Sequence, residues 1–324
     1  MNTKKKEDVK APMGGVTNEL RKDYLLDRWV LIAANRGKRP HDFIGKRMPK
    51  EEPTFCFFCP GNEHSTPPEL DRISKGKNWI VRAFTNMYPA TSVDFPMAYG
   101  SHEVIVETYE HHKNLQDLSS EQIQKVLEMY CRRIEANRRI NGVNSVLIFK
   151  NHGAEAGTSL AHEHSQLIST KKIPTLIENE VKEYKKYFAK NKRCAYCDTI
   201  KMEMKSERRI YENKYVACFA PYASRFPFEI WVFPKKHVKS LTELNSDERR
   251  SFGEVLKKML KKLDKKFNDP PYNFYLHITP FNEKDFHFHI EICPRLTKLA
   301  GFELGSDVII NIMPPEKAAE ELRR

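Results

Sequence analysis

The order of apolar and polar positions predicts short strands separated by single helices. Ordered structure is expected to begin at the apolar run Trp29–Ile32, and β-branched or alternating runs follow at 79–84, 103–107, 146–149 and 166–169. Between the third and fourth of these, Ile123, Val126, Leu127, Tyr130 and Ile134 recur at helical spacing. Ser119, with Gln122 three residues on, reads as a capping box at the start of that helix. The second half repeats the order: a strand at 228–233, a helix at 247–267, and strands at 273–278 and 286–292.

The repetition extends to individual residues. Glu103, His111, Leu118 and Ser120 recur as Glu229, His237, Leu244 and Ser246 at a constant offset of 126, and His162 and His164 recur as His287 and His289 at 125. The pair Cys56/Cys59 precedes the first copy as Cys194/Cys197 precedes the second. An ordered series of this kind points to internal duplication of one α+β unit. Strands outnumber helices and are joined by short or single-helix connections, so antiparallel sheets with helices packed against them are expected. Residues 1–20 read as a mobile leader, 21–188 as an N-terminal domain and 189–324 as a C-terminal one. The boundary is placed in the Lys-rich segment 185–193, after a short helix from Pro174.

The composition of 324 residues, 40% hydrophobic and 11% aromatic, supports a buried core and argues against disorder. Lys and Arg number 55 against 43 acidic residues, a net +12 that suits an anionic partner. No stretch approaches the ~20 apolar residues that span a bilayer, and the start MNTKKKEDVKAP has no signal-peptide core. These features predict a cytoplasmic protein with no membrane partner. Basic residues are scattered, with no compact basic helix or aromatic platform beside the cysteines, which argues against a zinc-dependent nucleic-acid binder.

Of seven cysteines, four form the two C-x-x-C pairs, which in an intracellular chain suggest metal or redox chemistry. Cys131, Cys218 and Cys293 read as isolated, buried thiols. The segment FCFFCPG at 55–61 reads as a metal knuckle, because Pro60-Gly61 breaks any helix. Zinc favours four Cys/His ligands, and the duplication selects the remaining two at each site. The expected sets are Cys56, Cys59, His111 and His162, and Cys194, Cys197, His237 and His287, for two zinc ions per chain. The alternative, buried turns with hydrogen-bonded histidines, weakens when the pattern recurs.

The segment 151–166 carries the strongest catalytic signal. Gly153 and Gly157 let backbone N–H groups approach an anion, and Thr158 and Ser159 add hydroxyls. On a strand, His162, His164 and Gln166 would share one face. An imidazole there can attack phosphorus while Gln166 and the loop donors stabilise the developing charge. With His162 on zinc, His164 is left as the nucleophile. The second copy has Glu291 in place of Gln166 and no glycine in its loop, so only the first copy is expected to react.

The motif H-x-H-x-Q after N-x-G-A-x-x-G, with the upstream C-x-x-C-P-G, resembles the galactose-1-phosphate uridylyltransferase family of the histidine-triad superfamily. The resemblance runs from about Leu25 to the C-terminus and includes Pro227-Phe228-Glu229 and Pro234-Lys235-Lys236-His237. It implies two histidine-triad-like domains and a ping-pong reaction. A sugar nucleotide loads His164 and a second sugar 1-phosphate removes the nucleotidyl group, with UDP-glucose and galactose 1-phosphate as the leading substrates. It further implies that Gln166, Arg36 and Arg39 contact phosphates, that Asn86 and Asn151 contact nucleotide and phosphate, and that the enzyme is a homodimer.

Several positions depart from the family pattern. Glu163 stands where proline is usual, and Met87 replaces an acidic residue. The segments 301–306 and 268–273 are similar to ADP-glucose phosphorylase, which implies inorganic phosphate as an alternative acceptor for an adenylyl group. Some family members place an acidic residue with three histidines, here Glu180, His277, His287 and His289. The cysteine set, being in repeat register, is preferred for the second metal.

Overall fold

Thirteen strands and six helices run through residues 18–38 and 55–324, the part of the chain that the computed structural model describes. In chain order they are β1 (Glu19–Lys22), β2 (Trp29–Ile32), β3 (Glu69–Lys75), β4 (Asn78–Thr85), β5 (Gly100–Val106), α1 (Ser120–Arg138), β6 (Ser145–His152) and β7 (His164–Thr170). Then follow α2 (Thr175–Asn191), α3 (Ala195–Glu203), β8 (Arg209–Glu212), β9 (Val216–Phe219), β10 (Ile230–Pro234), α4 (Ser246–Phe267), β11 (Tyr272–His277) and β12 (His289–Pro294). The chain closes with α5 (Gly301–Ser306), β13 (Ile309–Asn311) and α6 (Pro315–Arg323).

Ten strands form one antiparallel sheet in the order β3-β4-β5-β7-β6-β11-β12-β10-β9-β8. Read outward from the β6–β11 seam, the two sides run β6, β7, β5, β4, β3 and β11, β12, β10, β9, β8. Equivalent strands therefore stand at equal distances from the seam, as an internal duplication with an approximate two-fold relation requires. At the seam Asn273 lies opposite Asn151 and Phe274 opposite Lys150. The halves thus share a sheet as well as an ancestry. A second, small sheet pairs β1 with β2 antiparallel and β2 with β13 parallel.

Alternation along the strands sorts the side chains into two layers. Ile105, Ile148, Leu167, Phe274, Ile290 and Ile292 face α1 and α4 and build one core common to both halves. The helices meet at Gly253, where an added Cβ would stand 2.9 Å from Ile123 Cγ2 and 3.0 Å from Leu127 Cδ1. On the opposite face Phe84, Val104 and Val106 pack under Phe58, and Trp231, Phe233 and Phe219 pack under Tyr184 and Tyr196 of α2 and α3.

The expected α+β architecture is present, with local differences. Strand β1 takes in the last two positions assigned to the leader, while residues 1–17 lie outside the described residues. The helix after Pro174 runs unbroken through residue 191, so the polar segment 185–191 is the solvated face of α2 and the 188/189 division falls inside that helix. Ser119 does cap α1, its side chain accepting from the Gln122 N–H at 3.1 Å. The reciprocal half of the box is missing, because the Gln122 amide donates to the Ile80 and Glu107 carbonyls, both at 2.7 Å.

Candidate active site and metal-ligand groups

His164 opens β7 on the face opposite α1, with Gln166 two residues on. Its Nδ1 lies 2.8 Å from the carbonyl of His162, which accepts a hydrogen bond and so fixes the proton on Nδ1. The lone pair of the neutral ring is thereby placed on Nε2. Burial, together with the nearby Lys150 ammonium, lowers the His164 pKa and keeps the ring neutral. His162 lies just before the strand rather than on it, and its ring turns away from His164 toward the cysteines.

Beneath His164, on the core face of the sheet, sits a buried charge network. The Lys150 ammonium donates to Glu107 Oε2 at 2.6 Å, to Glu163 Oε1 at 3.0 Å and to the His164 carbonyl at 3.0 Å. Tyr130 and Ser165 bond the other oxygen of Glu107, and the Leu115 N–H donates to Glu163 at 2.7 Å. All three protons of the ammonium are therefore used, as a buried charge requires. Glu163, the departure from the family's proline, belongs to the set that clamps the backbone of His164.

The loop after β6 turns through Gly153 (φ 82°) and Gly157 (φ 89°), conformations that favour glycine. A Cβ on Gly153 would stand 2.9 Å from Pro271 Cβ, so the loop lies directly on the segment that enters β11. Ser159 is exposed in this loop. Asn151 is held by Asn273, whose Nδ2 donates to Asn151 Oδ1 at 2.8 Å. Asn86 follows β4, and its Oδ1 accepts from the Tyr88 N–H at 2.9 Å. Arg36 is exposed in the turn Ala34–Lys38, and no hydrogen bond among the described residues ties it to β7. Arg39 lies outside the described residues.

Both expected metal sets assemble. Cys56 Sγ and Cys59 Sγ each stand 3.5 Å from His162 Nδ1, and Cys59 Sγ stands 3.4 Å from His111 Nδ1. In the second set Cys197 Sγ is 3.5 Å from both His237 Nδ1 and His287 Nδ1, and Cys194 Sγ is 3.8 Å from His287 Nδ1. A tetrahedral zinc with Zn–S near 2.3 Å and Zn–N near 2.0 Å puts sulfur and nitrogen roughly 3.5 Å apart. Equivalent carbonyls fix the rings: His162 Nε2 donates to Thr108 O at 2.7 Å and His287 Nε2 to Pro234 O at 2.9 Å. Cys194 caps α3, a helix-start position that a redox motif would also use, but its sulfur faces imidazole. Of the isolated thiols, Cys218 and Cys293 are buried while Cys131 is half-buried.

The other set is assembled differently from the expectation. Glu180, His277 and His289 come together with Glu291 rather than with His287, which is turned toward the cysteines. His289, the counterpart of His164, is fully buried, with Phe233 stacked at 4.5 Å and His277 at 4.3 Å. The half-buried Arg225 guanidinium pairs with the buried Glu291 and Glu229. Burial alone would lower the His277 pKa, but the Glu180 and Glu291 carboxylates outweigh it and push it up to about 10. The His289 ring presents no surface to solvent.

Sequence reasoning passed over three residues that shape the site. Lys150 falls in the inward phase of Val146 and Ile148, where alternation calls for an apolar residue, and that break in pattern was readable. Asn273 and His102 carried no such signal. His102, in β5, bonds Gln166 at 2.8 Å.

Fold and site together define a duplicated α+β protein with a buried, neutral imidazole at His164 and two Cys/His groups able to hold metal. The chain belongs to the galactose-1-phosphate uridyl transferase family, whose N-terminal domain model matches residues 8–174 and whose C-terminal domain model matches 180–323. ADP-glucose phosphorylase of Arabidopsis thaliana is 34% identical, over 94% of this chain and 92% of its own. Galactose-1-phosphate uridylyltransferase of Thermotoga maritima is 32% identical, over 94% and 98%. The crystal structure of the Arabidopsis ADP-glucose phosphorylase with bound ADP-glucose superposes with a TM-score of 0.86 at 32% identity, covering 95% of this chain and 99% of that one. No helix among the described residues is long and apolar enough to cross a membrane.

Proposed function

We propose that the protein transfers a nucleoside monophosphate through a covalent nucleotidyl-histidine at His164, with UDP-glucose as donor and galactose 1-phosphate as acceptor. The observation that carries this reading is the His164 ring, whose Nδ1–H is committed to the His162 carbonyl at 2.8 Å. In the first step the Nε2 lone pair attacks the α-phosphorus. The bond from that phosphorus to the bridging oxygen breaks, and glucose 1-phosphate leaves with the electron pair. In the second step an oxygen of the acceptor phosphate attacks the same phosphorus and returns His164 to its neutral form. Gln166, Asn151, the N–H groups around Gly157 and Ser159 are assigned to the phosphoryl oxygens, and Arg36, Arg39 and Asn86 to the remaining phosphates and nucleoside. The names of the uridylyltransferase relatives support these substrates.

A second reading is ADP-glucose phosphorylase, in which ADP-glucose loads His164 and inorganic phosphate discharges it. It is favoured by the superposition on the Arabidopsis enzyme.

Zinc in each Cys₂His₂ set is part of the proposal, two ions per chain, supported by sulfur–nitrogen separations of 3.4 to 3.8 Å. Bound there with four protein ligands and no open position, zinc would brace the fold. A cytoplasmic homodimer completes the reading. The exposed apolar residues Met87, Tyr88, Val93, Phe95 and Met97 are consistent with a covered surface in such a dimer.

The test is incubation with radiolabelled UDP-glucose and, separately, ADP-glucose, followed by a search for acid-labile label on His164. Uridylyl label released by galactose 1-phosphate supports the first reading. Adenylyl label released by phosphate supports the second. Absence of label with either donor rejects both.

A further inference from the structure

We propose that His102 is a positioning residue that sets the amide of Gln166, so that its NH₂ end, and not its carbonyl, faces the phosphoryl group on His164. This inference rests on the reading of His164 and Gln166 given above.

One donor beside His102 has its direction fixed by the backbone. The Ala90 N–H donates to His102 Nδ1 at 3.1 Å, so Nδ1 carries a lone pair and the ring proton of the neutral imidazole sits on Nε2. Nε2–H then donates to the Gln166 oxygen at 2.8 Å. A flipped Gln166 would set its NH₂ against Nε2–H. Moving the ring proton to Nδ1 would set that proton against the Ala90 N–H. Either change puts two donors face to face, and only one arrangement of the amide survives. Burial lowers the His102 pKa and favours the neutral ring. Among the described residues no acceptor takes the Gln166 NH₂, which shares the strand face of His164.

Asn86 does not set the proton placement, which the Ala90 N–H decides by occupying Nδ1. With the Tyr88 N–H on its Oδ1, Asn86 turns its NH₂ to within 3.3 Å of His102 Nε2, an unfavourable approach of two donors that is longer than the 2.8 Å bond from Nε2 to Gln166. The duplication supplies a control. At the equivalent positions of the second copy, His102 is replaced by Phe228 and Gln166 by Glu291, and a carboxylate has no NH₂ end to orient. The orienting ring and the oriented amide are present together in the copy that reacts and absent together in the copy that does not.

The test compares His102→Phe, His102→Gln, Gln166→Ala and the double variant His102→Phe/Gln166→Ala in single-turnover loading of His164. Loss of one oriented donor at a developing oxyanion costs on the order of 10²-fold in rate, and an amide left free to flip is expected to lose about tenfold in the His102→Phe protein with the donor KM nearly unchanged. His102→Gln, whose amide nitrogen can stand near the position of Nε2, is expected to recover most of the rate. In the Gln166→Ala background His102→Phe should cost nothing further. A wild-type rate for His102→Phe, or a loss that multiplies with Gln166→Ala, overturns the proposal. A readout independent of turnover is the ¹⁵N spectrum of the histidine-labelled full chain, in which His102 Nδ1 should be unprotonated at neutral pH. A protonated Nδ1 overturns the proposal even if His164 loads. If wild-type protein loads with neither donor, the proposed function fails, and the spectrum still decides whether His102 holds the amide.

Discussion

Asn273 of β11 donates from Nδ2 both to Asn151 Oδ1 on β6 and to the Ala156 carbonyl in the glycine loop, each at 2.8 Å. One hydrogen bond thus passes from the second copy into the loop expected to hold phosphate, and the other turns the Asn151 amide at the end of β6 so that its own NH₂ faces away from Asn273. Replacing Asn273 with Ala should slow loading of His164 about tenfold and cost about 1–2 kcal/mol of stability. Single-turnover labelling beside a denaturant melt checks both, and unchanged loading would show that the second copy does not act on the loop.

Gly153→Ala tests the same contact from the other side. Its Cβ would meet Pro271 Cβ at 2.9 Å in a backbone conformation, φ 82°, that alanine resists. A loss of about 1–3 kcal/mol is expected, with slower loading than in Asn273→Ala.

His164→Ala should abolish covalent labelling while leaving the melting temperature and metal content unchanged. By contrast, Cys59→Ser and Cys194→Ser should each lower the metal content by one ion per chain. Retained labelling in His164→Ala, measured by acid-labile counts, would remove the nucleophile assignment. Wild-type metal content in Cys194→Ser would remove the second cysteine site.

The pH dependence of stability should report His152, which is stacked on Tyr272 at 4.7 Å and lies 2.9 Å from Asp269 Oδ1. Burial alone would lower its pKa, but hydrogen bonds to Asp269 and Glu163 outweigh burial and raise it to about 9. The folded protein therefore binds this proton more tightly than the unfolded chain. The contribution is fully present below about pH 6.5 and is lost as pH rises through about 9, for roughly 1–3 kcal/mol. Melting midpoints should fall over that window in wild type and stay flatter in His152→Gln.

Much of this was legible in the chain. The recurrence of Cys56/Cys59, His111 and His162 in the same order as Cys194/Cys197, His237 and His287 selected both candidate metal-ligand sets, although the cysteine pairs are offset by 138 residues and the histidines by 126 and 125. The histidine spacing of H-x-H-x-Q placed His164 and Gln166 on one face because a strand has period two. Less legible was anything that depends on which strands become neighbours. The β6–β11 seam, and with it the role of Asn273, comes from pairing across 122 residues of sequence separation. The length of α2 was missed because Lys185, Lys186 and Lys190 read as linker when they are the wet side of a helix. His287 keeps the cysteine partners expected for it, and in the alternative set its place beside Glu180, His277 and His289 is taken by Glu291, a buried carboxylate that the spacing of histidines does not reveal.

The seam also determines what either copy would be without the other. Severed between the halves, each fragment would expose along β6 or β11 a row of N–H and C=O groups that the intact chain keeps paired. Such an edge recruits another strand. Half of this protein would therefore be adhesive, prone to rebuild the missing side from a second fragment, and gene fission would yield obligate partners rather than independent enzymes.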